Sequence, residues 1–430
     1  LELPGISLDY FLRGLAGEAY QDNAVFQELY SWYLQSPEYR ILVKKLTEAS
    51  FSERPSDKIG KTVAKILYGE ISPYSATRLE RFAACAFAHF LQYGLKVTER
   101  AEYEFRAMDM GNVMHMALEK FAVEVRKEGL DWAELTEEER NRIIDSCLDQ
   151  VSADYGNTVL KSSARNEYML ERTRRILRRT VWALQEQLKH GAFRPEGFEV
   201  RFQGGRIDRV DIMEEPENNR VYVKVIDYKT GNTSFDLLAL YHGLQLQLMV
   251  YLDGALQVEK RKYPDREIVP AGVFYYNVKD PMIQEKIHAD MESINEQMLK
   301  KMKMNGLVQA DDNMSTKIDS TMASIPVSLN RDGSFSKRSS VASRKQFDAL
   351  GAYVRRKICD IRESILDGNA AVEPYELEKK NACTYCPYLT VCGFDRKIPG
   401  YEFHRMSSIG EEALWKKIMK GEEENGSEMD

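Results

Sequence analysis

Residues 198–231 read FEVRFQGGRIDRVDIM (198–213), EEPENN (214–219) and RVYVKVIDYKTG (220–231). Val and Ile recur at period two in the outer segments, and the middle one is rich in turn formers, so two strands with a tight connection are expected. Strand side chains alternate, so Asp227 and Lys229 leave the sheet on one face and Tyr228 on the other. The Gly205-Arg206-Ile207-Asp208 run places Asp208 on or at the end of the first strand. Two carboxylates from paired strands beside an amine suit phosphodiester hydrolysis. Carboxylate oxygens hold Mg²⁺, the metal activates water and neutralises phosphate charge, and the lysine positions the nucleophile and stabilises the charge that develops. Asp-x-Lys alone reads equally as a surface ion pair. The upstream G-x-I-D strand and the adjacent glycine turn favour the catalytic reading.

Helical periodicity surrounds this pair. Upstream lie YSATRLERFAACAFAHFLQYGL (74–95), MDMGNVMHMALEKFAVEVRKEG (108–129) and ERTRRILRRTVWALQEQL (171–188). Downstream, LALYHGLQLQLMVYLDGAL (238–256) reads as a helix and VPAGVFYYNV (269–278) as a strand, completing an α–β–β–α–β order. Gly111, His115 and Glu119 are spaced i, i+4, i+8 and share a helix face, so His115 is a candidate metal ligand, though such a lone His is more often a polar rim residue. Gln247 and Tyr251, also i, i+4, are placed to present an amide and a phenol to a DNA backbone or to the lysine. Arg172, Arg174, Arg175, Arg178 and Arg179 either track a DNA backbone or form a solvated face neutralised by nearby Glu.

The chain has 430 residues and 43% hydrophobic content, enough for a core and for about two to four domains. A net charge of −7 excludes a globally basic nucleic-acid coat and leaves a local basic groove open. No stretch approaches the ~20 apolar residues of a membrane span. The opening LELPGISLDYF is no secretory signal, so a cytoplasmic protein is expected. The absence of an initial Met suggests a piece of a longer protein. Gly60-Lys61-Thr62 resembles the end of a phosphate loop, but that motif needs Gly at 55, where Pro stands. Three zones are expected: a helical extension at 1–70, a working domain at 71–395, and a tail at 396–430 whose acidic end GEEENGSEMD is disordered.

Three of the six cysteines form Cys383-x2-Cys386-x5-Cys392. Three close thiolates need a fourth to close a zinc site or a cubane iron–sulfur cluster. Cys85, Cys147 and Cys359 are the candidates; Cys147 and Cys359 sit in helical contexts and read as buried thiols. Spacing chooses neither among the three nor between zinc and iron.

The ordered set Gly111…His115, Gly205-Arg206-Ile207-Asp208, Asp227-Tyr228-Lys229-Thr230-Gly231, Gln247…Tyr251 resembles the RecB-type branch of the PD-(D/E)xK nuclease superfamily. With one early cysteine in SATRLERFAAC and three late ones in CTYCPYLTVCGFD, it is more narrowly similar to the C-terminal nuclease domains of the B subunits of bacterial AddAB-type helicase–nucleases, over about residues 72–395. The resemblance implies an α/β, restriction-endonuclease-like fold with a mixed central sheet flanked by helices. It implies that His115, Asp208, Asp227 and the Tyr228 main-chain carbonyl bind Mg²⁺ (or Mn²⁺), with Lys229 catalytic. It also implies that Cys85, Cys383, Cys386 and Cys392 hold a 4Fe–4S cluster. The expected function is a DNA exonuclease degrading the 5′-ended strand in double-strand break processing for recombination. The expected partners are DNA ends, single-stranded DNA and the A subunit of the helicase/nuclease, with no membrane. The helicase-like part of that family is missing, so this chain alone should neither hydrolyse ATP nor move on DNA. The alternatives are a non-catalytic DNA-end-binding module, disfavoured by the intact Asp208/Asp227/Lys229 set, and a stand-alone iron–sulfur nuclease of the same superfamily. The latter, like the CRISPR-adaptation exonucleases, are shorter and lack the 1–70 zone.

Overall fold

The computed structural model describes residues 4–15, 24–50, 58–69, 75–98, 107–155, 163–283, 290–311, 313–398 and 400–426. The chain divides into two compact units, Leu1–Asp57 and Lys58–Asp430. In the first, helices α1 (Pro4–Leu15), α2 (Ala24–Gln35) and α3 (Arg40–Ser50) bury Phe11, Phe26, Tyr33 and Val43 among themselves.

The second unit begins earlier than the boundary expected at residue 70. Lys58 bridges to Asn369, and the Ile59 N–H donates to the Gly368 carbonyl at 2.9 Å. Gly368 has φ +80°, and a Cβ there would meet the Gly60 backbone at 2.8 Å, so only glycine permits this approach. Helix α4 (Lys61–Tyr68) therefore belongs with the larger unit, where Ala64 and Tyr68 are buried.

Three layers make up this unit. A six-stranded mixed sheet runs β1 (Arg194–Phe202), β2 (Gly205–Glu215), β3 (Arg220–Lys229), β4 (Glu267–Asn277), β5 (Asn305–Gln309) and β6 (Val341–Ala342), in that spatial order. The pairs β1/β2, β2/β3 and β4/β5 are antiparallel, while β3/β4 and β5/β6 are parallel. FEVRFQGGRIDRVDIM is thus two strands, not one: Gly204-Gly205 turns the chain back on itself, with Gly205 at φ +146°. Parallel pairing of β3 and β4 needs a crossover. It is supplied by α10 (Leu237–Tyr241) and α11 (Gln247–Lys262), separated by a turn at Gly243 (φ +80°) where one continuous helix was expected.

Period-two alternation on β3 decides what covers each face. Tyr222, Ile226 and Tyr228 face a core formed with α7 (Ala107–Lys127), α8 (Glu137–Asp154) and α9 (Ala164–Lys189). Val221, Val223 and Val225 face a core formed with α4, α5 (Ala76–Ala84), α11, α14 (Arg344–Leu366) and α16 (Glu411–Gly426). Short helices α6 (Ala86–His89), α12 (Met291–Lys301), α13 (Met314–Ile318) and α15 (Leu389–Cys392), and a small sheet of β7 (Tyr375–Leu377), β8 (Lys380–Asn381) and β9 (His404–Arg405), complete the unit.

The expected C-terminal tail is corrected in part. Leu414, Trp415 and Ile418 of α16 lie on one helical face and are buried in the second core. Of the acidic end GEEENGSEMD (421–430), residues 421–426 continue α16 where disorder was expected, and residues 427–430 lie outside the described residues.

Beneath the first sheet face lies a buried charge network. Asp211 accepts two hydrogen bonds from Arg209, at 2.6 and 2.9 Å, and pairs with Lys224 at 2.9 Å. The Arg209 guanidinium lies 5.0 Å from the centre of the Trp132 ring. Burial pushes the Asp211 carboxyl up, but Arg209 and Lys224 outweigh it and hold it below its usual value.

Candidate active site

The site forms where β2 and β3 end together. The register pairs Arg209 with Ile226, so the next step along the ladder sets Asp208 opposite Asp227. At that step the Tyr228 N–H donates to Asp208 Oδ2 at 2.8 Å. On the other side of β3, Lys229 Nζ lies 2.6 Å from Asp227 Oδ2 and donates to Gln247 Oε1 at 2.7 Å. Gln247 Nε2 in turn donates to the Tyr251 hydroxyl at 2.8 Å, so the i, i+4 pair on α11 acts as one strut behind the lysine.

His115 arrives from α7. A Cβ at Gly111 would meet Thr230 Oγ1 at 3.0 Å, so glycine lets the helix close on the end of β3. His115 Nδ1 then lies 3.3 Å from Asp208 Oδ2. His115, Glu119, Glu199, Arg206, Asp208, Asp227, Lys229, Gln247 and Tyr251 all line one cleft of about 630 Å³, as does Tyr228.

Two acidic residues were not singled out in the sequence. Glu199 of β1 has φ 50°, a left-handed kink inside a strand, and its buried carboxylate pairs with Arg206. Among the described residues, His115, Glu199 and Asp208 form the one set of three or more whose ligand atoms all lie within 4.8 Å of one another. Asp227 lines the same cleft but is turned toward Lys229. Glu80 of α5 sits deeper, and its Oε1 accepts the N–H groups of Leu246 and Gln247 at 2.6 and 2.9 Å. One glutamate among many carries no pattern of its own; only the G-x-I-D strand opposite β1 could have drawn attention to Glu199.

Like charges crowd here. Burial and the neighbouring Asp208 raise Asp227 to about 6 and Glu199 to about 7. Burial lifts Glu80 to about 7 against its two N–H donors. Burial pulls the His115 imidazole down, but Asp208, Asp227 and Glu199 outweigh it and leave it above its usual value. Carboxylates that hinder one another's ionisation, with an imidazole among them, make a donor set suited to a hard divalent cation.

Cys85 shares the lining of one small cavity with Cys383, Cys386 and Cys392. Arg81 Nη2 donates to Cys386 Sγ at 3.8 Å. Burial and the other three cysteines push the Cys383 thiol up to about 11. Of the remaining two, Cys147 is buried in the α-helical core, as expected, whereas Cys359 is exposed.

Of the α9 arginines, Arg175 pairs with Asp280 at 2.9 Å and Arg179 pairs with the same carboxylate. Asp149 pairs with Arg174 at 2.6 Å, and Asp145 with Arg178. Most of the arginine run is thus neutralised, and Arg172 is exposed.

A mixed sheet whose paired strand ends present Asp, Asp and Lys in a cleft defines a nuclease fold class. Residues 73–393 match the family model of the PD-(D/E)XK nuclease superfamily, and the chain belongs to that superfamily. It is also 39% identical over 438 residues to the B subunit of the ATP-dependent helicase/deoxyribonuclease of Lachnoclostridium phytofermentans, covering 97% of this chain and 38% of that protein. The proteins of the same name from Alkaliphilus metalliredigens (34% identical; 91% of this chain, 36% of that protein) and Thermoanaerobacter sp. strain X514 (33%; 95% and 37%) are similar too. The chain spans little more than a third of the length of these relatives. Among the described residues, no helix is long and apolar enough to cross a membrane.

Proposed function

We propose that the chain is a divalent-metal-dependent DNA nuclease module of a helicase–nuclease complex. The observation that carries this reading is Lys229, held between Asp227 and Gln247 across the cleft from His115, Glu199 and Asp208. His115, Asp208, Asp227 and the Tyr228 carbonyl would hold Mg²⁺ or Mn²⁺, with Glu199 close enough to join them. When bound, such an ion lowers the pKa of water and neutralises phosphate charge. Lys229 keeps its ammonium oriented toward the cleft, where it stabilises charge on the phosphate as the bond breaks. Gln247, backed by Tyr251, shares its ammonium with Asp227 and fixes where it stands.

Cys85, Cys383, Cys386 and Cys392 would hold a 4Fe–4S cluster, which supplies a tie between the two ends of the nuclease fold. The four thiols line one small cavity, which supports a shared group, and the choice of an iron–sulfur cluster over zinc rests on the family resemblance. The similar proteins are named as B subunits, which supports the A subunit of the helicase/nuclease as partner. Action on the 5′-ended strand during break processing for recombination rests on the family resemblance.

The test is cleavage of 5′- and 3′-end-labelled DNA in Mg²⁺, Mn²⁺, Ca²⁺ and EDTA. Cutting is expected in Mg²⁺ or Mn²⁺ alone, and Asp227→Ala should abolish it while leaving DNA binding nearly intact. Robust cutting in EDTA, or an active Asp227→Ala protein, overturns the reading.

A further inference from the structure

A second cavity, of about 510 Å³, lies between α11 and α14. Its lining positions on each helix run at i, i+3, i+4 spacing, from Val250 to Arg261 and from Gly351 to Arg362, so two whole helix faces form its walls. Apolar side chains such as Val258, Val354 and Ile358 make the floor, and Arg201, Arg261, Arg355 and Arg362 ring it. Asp253, the single acidic residue of the lining, is engaged by Arg355 at 2.9 Å. Among the described residues, Arg201 and Arg261 have no ion-pair partner. In a chain of net charge −7, this is a concentrated positive surface.

The groove abuts the catalytic cleft. Val250 lines the groove and the next residue, Tyr251, lines the cleft; Gly204 lines the groove and Arg206 the cleft. The wall between them is the Phe202 ring, set edge-on to Tyr251 with centroids 5.9 Å apart. That wall is low. Phe202 lies so close over Gly204 and Gly254 that a Cβ at either would come within 2.5 Å of its ring. The β1–β2 turn therefore lies flat on α11.

We propose that this groove binds single-stranded DNA continuous with the strand in the catalytic cleft, an inference that rests on the nuclease reading. Arginines on a rim with an apolar floor suit phosphates outside and bases inside. From Val250 to Arg261 the helix rises about 16 Å at ~1.5 Å per residue. That is the length of roughly five nucleotides at ~3.4 Å each. A cavity of 510 Å³ admits a few unpaired bases and no duplex. The groove thus selects strands already separated and holds the substrate beyond the bond being cut.

The test uses the whole chain and fluorescent dT20 in EDTA, so that binding is read without cleavage. The Arg201→Ala/Arg261→Ala protein should bind about tenfold or more weakly, and its plot of log K against log salt should be shallower by about 1.4, at ~0.7 for each phosphate no longer neutralised. Arg331→Ala/Arg338→Ala, an equal charge change on a distant exposed loop, should stay within about twofold of wild type. Hydrolysis of bis(p-nitrophenyl) phosphate, too small to reach the groove, should be unchanged in both. Independently, dT20 should slow alkylation of the exposed Cys359, which lines the groove, in the wild-type protein. Affinity and salt slope equal to wild type, an equal loss in the control pair, or unprotected Cys359 overturns the proposal. A protein that cuts DNA but shows these results refutes the groove alone. One that binds dT20 through these arginines yet never cuts refutes the nuclease reading instead.

Discussion

Glu80 Oε1 accepts the main-chain N–H of Gln247 at 2.9 Å, across 167 residues of chain. The bond satisfies an N-terminal donor of α11 that the helix itself cannot. It also fixes where Gln247 stands, and Gln247 accepts from Lys229 Nζ at 2.7 Å. The next residue on α5, Arg81, reaches Cys386 Sγ. One short helix thus touches both the cysteine cavity and the support of Lys229.

Glu80→Ala should therefore lower kcat by about tenfold or more, which corresponds to ~1.4 kcal/mol of transition-state stabilisation. KM and affinity for dT20 should stay near wild type, since Glu80 is too deep to touch DNA. Glu80→Gln keeps the accepting oxygen and should recover most of the rate. Steady-state kinetics on a labelled oligonucleotide checks both. A fall in affinity with kcat unchanged would place Glu80 in binding instead.

Asp211→Asn should destabilise the larger unit by about 3–5 kcal/mol, the cost of leaving buried Arg209 and Lys224 without their carboxylate. Urea unfolding followed by circular dichroism checks this, with Asp332→Asn on the exposed 330–334 turn as control. A change under about 1 kcal/mol would mean that water or rearrangement compensates the two cations.

These relationships differ in how far the sequence reveals them. Asp208, Asp227 and Lys229 are legible because strand alternation and a glycine turn leave a local mark. Glu80 is not, since its partners lie more than 160 residues away and a Glu in an amphipathic helix is unremarkable. The two strands hidden in FEVRFQGGRIDRVDIM were missed because period two continues across Gly204-Gly205. The arginine run was ambiguous for another reason: Asp145, Asp149 and Asp280, which neutralise it, come from other segments. In the last helix, the acidic terminal residues masked the apolar spacing of Leu414, Trp415 and Ile418.

His89 gives a pH dependence. It is fully buried among Tyr68, Phe82 and Tyr93 and accepts from Arg78 Nε at 3.3 Å. Burial, reinforced by Arg78 and Arg81, lowers its pKa from 6.5 to about 3. Between those values the unfolded chain holds a proton that the folded one does not. The contribution is therefore complete above pH 6.5 and is lost as pH falls, by about 1.4 kcal/mol per unit well below 6.5. The stability of His89→Gln should fall less steeply between pH 6.5 and 4.5, by up to one proton's worth of slope. Parallel curves for the two proteins would show that His89 takes up its proton in the folded state.

Cys85 provides the longest-range test. Phosphodiester hydrolysis transfers no electrons, so a cluster here has no part in bond breaking. Its effect would be on the fold: Cys85 and Cys392 are 307 positions apart, and a shared cluster would close nearly the whole nuclease fold into a loop. Binding energy available only to the folded chain becomes folding energy. Cys85→Ala should lose iron, melt at lower temperature and become protease-sensitive near residues 75–98 and 380–398. DNA binding should weaken as well, because α5, whose Leu79 lines the groove, loses its tie to the C-terminal part of the fold. Cys147→Ala and Cys359→Ala should retain iron, the first thiol being enclosed in the helical core and the second lying exposed on α14. Iron content and thermal melting, measured on anaerobically purified protein across the three variants, decide the matter. Full iron in Cys85→Ala, with loss in either of the others, would exclude Cys85 as the fourth ligand and remove the tie between the two ends of the fold.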